Sequence, residues 1–164
     1  KVFVSKLQAS SRHCFVCGVE NPHGLHLVFK QTGPGEVCAD YVAPEQFQGY
    51  PGVLHGGIVA AMLDEISGRA HMGEDPNNPR FMFTARLELR YRRNVPVGKP
   101  LHLVGKALKS KGRTATASGQ IFGPDGTLLA EAEALLVDVP GEALDADMLE
   151  TLGWRVYPEL EKEA

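Results

Sequence analysis

Long apolar runs are missing from this 164-residue chain. Nothing in it approaches the length of a membrane span, and no basic-then-apolar stretch opens it, which speaks against a membrane protein and against a secretory leader. Cysteine is sparse and odd in number, three in all, so a disulfide-stapled secreted fold is not expected. An excess of positive charge is missing as well: the formal net charge is −3, which argues against nucleic acid as a partner. No segment repeats and no low-complexity tract interrupts the chain. What is left is an ordinary globular composition, 43% hydrophobic and 23% charged, in a length that suits one domain with a sizeable core. The expectation is a single domain over 1–164, with a loop region over 1–24, an acidic tail over 141–164 and the cytoplasm as its location. The chain opens on Lys1 rather than Met, which leaves open what precedes it.

The richest stretch runs from Gly49 to Gly73, GYPGVLHGGIVAAMLDEISGRAHMG. Pro51, Gly52, Gly56 and Gly57 predict a tight loop whose backbone can come close to a ligand. Directly after it the chain is apolar from Ile58 to Leu63. Apolar residues then recur at helical spacing, Val59, Leu63, Ile66 and Ala70 on one stripe with Ile58 and Met62 beside it. This pattern predicts a long helix buried nearly all round. Its first N–H groups, at Gly56, Gly57 and Ile58, lack intrahelical partners and sit at the positive end of the dipole, a ready site for an oxygen with partial negative charge.

Asp64 and Glu65 stand side by side in that apolar helix. Glu65 has Arg69 four residues on, and the pair is expected on an exposed edge. Asp64 has no such partner, and its neighbours one turn away, Ala60, Ala61, Ser67 and Gly68, are small. It either faces solvent or serves as a general base or nucleophile, and in the second case the apolar setting is expected to raise its pKa. Nine residues separate His55 from Asp64, roughly 13 Å along a helix axis. One chain cannot easily bring both ends to one substrate atom, whereas two antiparallel copies related by a two-fold axis can. A homodimer with shared sites is therefore expected.

Elsewhere, Cys14-x-x-Cys17 followed by His23 and His26 invites a zinc reading. The gap from Cys17 to His23 is shorter than in finger motifs, so the expectation is a tight loop with the cysteines packed under the core, and no metal. Leu25–Gln31 and Val37–Val42 read as strands joined by Thr32-Gly33-Pro34-Gly35. Phe81–Arg92 alternates, with Phe83, Ala85, Leu87, Leu89 and Tyr91 on one face and Thr84, Arg86, Glu88 and Arg90 on the other. Leu101–Leu108, Thr114–Phe122 and Leu128–Val139 complete a set of about six strands, and a short helix is expected over Ala143–Leu152 in the tail. One helix inserted after the second strand of an antiparallel sheet is an α+β arrangement, with the sheet curled around the helix.

These residues resemble a known family. The segment GYPGVLHGGIVAAMLDE is similar to that of the hotdog-fold acyl-CoA thioesterases, the PaaI-like branch in particular. So are Cys14-Phe15-Val16-Cys17-Gly18 with Asn21-Pro22-x-Gly24-Leu25, and Leu89-Arg90-Tyr91 with Pro96-x-Gly98. The resemblance covers roughly residues 13–139, and the HGG-to-Asp spacing is its specific part. It implies a hotdog fold, a homodimer or dimer of dimers, and hydrolysis of an acyl-CoA thioester at the dimer interface without a cofactor. Gly57, with Gly56, would polarise the thioester carbonyl, and His55 would hold the loop. Asp64 of the opposite subunit would activate water or attack directly, and Thr84 would position the water. Strict alternation puts Thr84 with Arg86 and Glu88, so a bulge would be needed to turn it inward.

For the substrate, Phe47, Tyr50, Met62 and Met82 are candidate acyl-pocket walls, and core packing accounts for all four equally well. Gln48 is a further substrate-binding candidate from the resemblance, since some relatives carry Asn or Gln shortly before the HGG, although Gly49 stands at that place here and Gln48 one residue earlier. Arg90 and Arg92, with Arg93, form a cationic cluster that could meet coenzyme A phosphates. A second cluster is Lys106, Lys109, Lys111 and Arg113. A non-catalytic acyl-CoA-binding module is the alternative function, and an unpaired Asp64 has little use there. A Ser-His-Asp triad is not expected, because no G-x-S-x-G is present.

Overall fold

A computed structural model describes residues 2–162; Lys1, Glu163 and Ala164, which the sequence reading includes in the domain and its tail, lie outside them. Seven strands form one antiparallel sheet rather than about six, because a short strand precedes those the pattern reveals. They are β1 (Lys6–Leu7), β2 (Lys30–Gly33), β3 (Glu36–Val42), β4 (Met82–Tyr91), β5 (Pro100–Lys111), β6 (Thr114–Phe122) and β7 (Leu128–Asp138). Their spatial order is β1-β2-β3-β5-β6-β7-β4. Helix α1 (Gly56–Arg69) lies between β3 and β4 in sequence and carries the chain from the middle of the sheet to its far edge. A second helix, α2 (Ala146–Leu152), is capped by the Asp145 carboxylate on the Met148 N–H at 2.9 Å. No helix among the described residues is long and apolar enough to cross a membrane.

Several elements depart from the sequence pattern. Leu25, Leu27 and Phe29 are buried as expected but lie ahead of β2, in irregular chain that joins the N-terminal loop through Leu25 N–H to Phe15 O and Leu27 N–H to Val16 O. The β5–β6 hairpin is longer than its composition suggests, since Lys109, Ser110 and Lys111 pair with Thr116, Ala115 and Thr114. The acidic tail is not loose: Ser10 and Arg155 bridge, Arg12 bonds to Leu152 and Thr151, and Trp154 stacks edge-on to Phe81.

Helix α1 packs on the sheet through Val59, Met62, Leu63 and Ile66, the last three with no solvent exposure. Burying each such side chain contributes on the order of 2 kcal/mol. The helix is not buried all round, however. Gly56 and Gly57 are exposed, Ala60, Asp64, Glu65 and Gly68 are half-buried, and Ile58 and Ala61, also half-buried, pack against the edge of the core.

Its position is fixed by contact with backbone. Gly105 of β5 and Gly119 of β6 pair across the sheet. A Cβ on Gly105 would lie 2.3 Å from the Ile66 carbonyl oxygen, and one on Gly119 would lie 2.7 Å from Ser67 Oγ. Alternation along β6 continues the same surface with Ala115, Ala117 and Ile121, all buried. Gly105→Ala is expected to lower the unfolding free energy by about 2–3 kcal/mol, because the obstructing atom is backbone. A lower urea midpoint at unchanged slope would report it.

Candidate active site

The loop before α1 is held from three sides. Leu54 N–H donates to Val95 O at 2.7 Å, His55 N–H to Phe47 O at 3.0 Å, and the Gln48 carboxamide accepts from Gly52 N–H at 3.2 Å. Gln48 therefore braces the loop. His55 is the N-cap, and its Nδ1 accepts the Gly57 N–H at 2.9 Å. An accepting Nδ1 means that the ring proton sits on Nε2. The Ile58 and Val59 N–H groups both turn to the His55 carbonyl, at 2.9 and 3.0 Å. Gly56 N–H donates to no protein group among the described residues. The family resemblance implied Gly57, with Gly56, as carbonyl donor; His55 already accepts the Gly57 N–H, and the open one belongs to Gly56.

Strand β4 holds α1 at two points. At the first residue of the helix the Tyr91 hydroxyl donates to Gly56 O at 2.8 Å. About two turns on, the Thr84 hydroxyl donates to Asp64 Oδ1 at 2.6 Å. Asp64 is thus not partnerless, as it reads in the sequence; the strand orients its carboxylate. Thr84 reaches it because the β4–β7 register slips between Thr84 and Arg86, the bulge that strict alternation required. Upstream of the slip the faces exchange, so Phe83 points outward and is 63% exposed instead of lying with Leu87 and Leu89.

A cleft of about 590 Å³ opens at the start of α1, lined in part by Tyr50, His55, Gly56, Val59, Tyr91 and Arg93. Tyr50 is 82% exposed at its mouth. Arg92 lines the cleft too. Arg93 makes no ion pair among the described residues, whereas Arg92 is bound to Glu131 at 2.6 Å, a contact that draws the Glu131 carboxyl below its ordinary range. Arg90 lies elsewhere, in a groove with Glu88, Glu131 and Glu133. Met62 is sealed in the core, and Met82 packs on Ala70, Ala117, Ala134 and Leu136. Neither methionine lines the cleft. Phe47 packs on the core and meets Phe15 edge-on.

The neighbouring carboxylate behaves differently. Glu65 pairs with Arg69 at 3.4 Å, but not on an exposed edge: Arg69 is 3% exposed. Its guanidinium also donates to Gln8 Oε1 and Ala9 O and lies over the Phe29 ring. Burial pushes the Glu65 carboxyl up to about 7, against the pull of Arg69. Its other oxygen faces Cys14 Sγ at 3.7 Å, and His23 and His26, the imidazoles of the zinc reading, are exposed and take no part.

Residues 51–130 match the family model of the thioesterase superfamily. A solved thioesterase-superfamily protein superposes with a TM-score of 0.70 at 35% identity, over 77% of this chain and 61% of that one. The chain has a hotdog fold, and its residues 51–130 are similar to the thioesterase superfamily. Among curated relatives of this domain, acyl-coenzyme A thioesterase THEM4 of Bos taurus is 27% identical over 141 residues, 85% of this chain and 56% of that protein. The chain spans about half the length of the curated relatives it matches. The smu.793 protein of Streptococcus mutans, solved bound to acetyl CoA, shares the fold at a TM-score of 0.61 and 17% identity, over 69% of this chain and 88% of its own.

Two contacts at the candidate site escaped the sequence reading. Tyr91 was placed on a core-facing strand surface, but nothing in the pattern tied its hydroxyl to Gly56. The Thr84–Asp64 bond was visible only as a need for a bulge.

Proposed function

We propose that this domain hydrolyses acyl-CoA thioesters in a homodimer, or a dimer of dimers, whose two chains share each active site. The observation that carries the reading is the pairing of Thr84 with Asp64 and of Tyr91 with Gly56 at opposite ends of one edge strand. Among the described residues, strand β4 has no neighbour on its outer side. An open ten-residue edge with Phe83 and Tyr91 more than half exposed invites a partner strand. Antiparallel pairing of β4 with its copy, centred on Glu88 and with Ala85 skipped at the bulge, sets Thr84 of one protomer opposite Tyr91 of the other. Asp64 of one chain then approaches the Gly56 end of its partner. Within a single chain the two stand about 12 Å apart along the helix.

In this reading the thioester carbonyl takes its hydrogen bond from Gly56 N–H at the positive end of α1, where the oxyanion of the tetrahedral intermediate gains most. His55 keeps Gly57 N–H engaged and so fixes the loop in the shape that leaves Gly56 N–H open. Thr84 occupies Asp64 Oδ1, which leaves Oδ2 to take the proton of the attacking water. The small residues Ala60, Ala61 and Gly68 leave room for the acyl group beside the carboxylate. Arg93 is the cation at the cleft free to meet a phosphate of coenzyme A. The family match, the THEM4 relatives and the acetyl-CoA-bound neighbour support the substrate class.

Assay against short, long and aromatic acyl-CoAs, followed by thiol release, tests the activity. Turnover of at least one class is the expected result; binding without turnover would overturn it. Gly56→Pro tests the donor. Gly56 is the first helical residue, a position that accepts proline, and His55 already has the extended ψ of 134° that a following proline demands. The nearest atoms to a Cβ there belong to the Tyr91 ring and hydroxyl, at 3.7 Å, an ordinary van der Waals contact. The variant is expected to fold, dimerise and lose about 100- to 1000-fold in kcat, because only the N–H is removed.

A further inference from the structure

We propose that Cys14, Cys17 and Glu65 form a binding site for zinc or a similar thiophilic divalent cation, separate from the thioester chemistry. One ligand atom from each, two sulfurs and a carboxylate oxygen, lies within 4.8 Å of the other two. Glu65 Oε1 and Oε2 stand 3.7 and 3.9 Å from Cys14 Sγ. That separation is close to the edge of a tetrahedron built from zinc–sulfur and zinc–oxygen bonds of about 2.3 and 2.0 Å.

The loop has the local shape of a thiolate ligand pair. Val16 N–H, two residues after the first cysteine, donates to Cys14 Sγ at 3.3 Å, and Gly18 N–H closes the turn on Cys14 O at 2.8 Å. Position 18 admits only glycine, since a Cβ would lie 2.3 Å from Cys14 O and 2.6 Å from Cys14 N. Ser11 supports both cysteines, its hydroxyl accepting from Cys14 N–H at 3.2 Å and lying 3.7 Å from Cys17 Sγ.

The third ligand is held in place before any ion arrives. Arg69 Nε and Nη2 both grip Glu65 Oε2 at 3.4 Å, while Arg69 itself is fixed by Gln8, Ala9 and Phe29. Such outer partners orient a ligand and limit its freedom. Charge balances as well: two thiolates and a carboxylate against a dication leave −1, which Arg69 offsets. Three protein donors leave the fourth corner to water. The bound ion would tie the N-terminal loop to α1 at the residue next to Asp64, closing a loop of 51 residues.

The test uses the untagged full chain, kept reduced, with zinc and with cobalt as a spectroscopic probe. One ion per chain is expected after dialysis, with thiolate-to-cobalt charge-transfer absorption and the strong visible bands of a tetrahedral centre. Cys14→Ser is expected to abolish both, and Cys38→Ser, at a thiol outside the cluster, to change neither. Glu65→Gln is expected to keep the charge-transfer band and weaken affinity at least tenfold. Wild-type alkylation gives a reading that needs no variant to fold: zinc should slow modification of Cys14 and Cys17 and leave Cys38 unaffected. Equal rates with and without zinc, or full binding by folded Cys14→Ser, would overturn the site.

Discussion

Asp64→Asn is expected to lower kcat for acyl-CoA hydrolysis by two to four orders of magnitude, the usual share of a positioned general base. That is about 3–5 kcal/mol of lost transition-state stabilisation. Asparagine is the informative replacement, because its carbonyl oxygen can still accept the Thr84 hydroxyl that Asp64 Oδ1 accepts at 2.6 Å. Shape, the β4 contact and assembly should therefore survive, and KM should change little. The loss then reads on proton transfer alone. A folded Asp64→Asn protein within tenfold of wild-type kcat would remove Asp64 from the mechanism while leaving the family assignment in place.

The second large effect is a recovery. Asp64→Asn and Gly56→Pro each disable one half of a site. If each site draws Asp64 from one chain and Gly56 from the other, mixed dimers contain one site with both defects and one with neither. After dissociation and reassembly in equal amounts, about half the dimers are mixed and half of their sites are intact, so roughly a quarter of wild-type activity should return. If one chain held a whole site, the mixture would stay as dead as its components. The outcome separates shared from self-contained sites without reference to how tightly the copies associate.

Much of the fold could be read from the sequence because its signals are local. The alternation of β6 and the helical stripe from Val59 to Ile66 are periodic, and periodicity survives without knowledge of neighbours. What was missed depended on partners distant in sequence. Lys6–Leu7 is too short to carry a pattern and is a strand only because Lys30 and Gln31 lie beside it. Phe83 took the wrong face because one register slip reverses every residue before it, and alternation is blind to slips. Glu65 and Arg69 had the spacing of a surface pair, yet nothing local tells that Gln8, Ala9 and Phe29 enclose the arginine.

At the candidate site the residues were legible but their division of labour was not. His55, Gly56, Gly57 and Asp64 stood out by type and spacing. Which glycine keeps a free N–H depends on the direction in which the His55 ring turns, a question of side-chain geometry. Met62 shows the opposite failure. It has the right chemistry for a substrate wall and is committed to the core.

The close seat of Ile66 O against Gly105 has a consequence for how this scaffold can vary. A helix held by side-chain packing shifts when its neighbours change size; one resting on bare backbone has a hard stop. Asp64 is two residues from that stop. Substitutions among the cleft-lining residues can then enlarge or narrow the cleft while the carboxylate keeps its place. Under the proposed mechanism, substrate range and catalytic geometry are in this way mechanically uncoupled, and new specificities can arise on the scaffold without re-siting the proposed base.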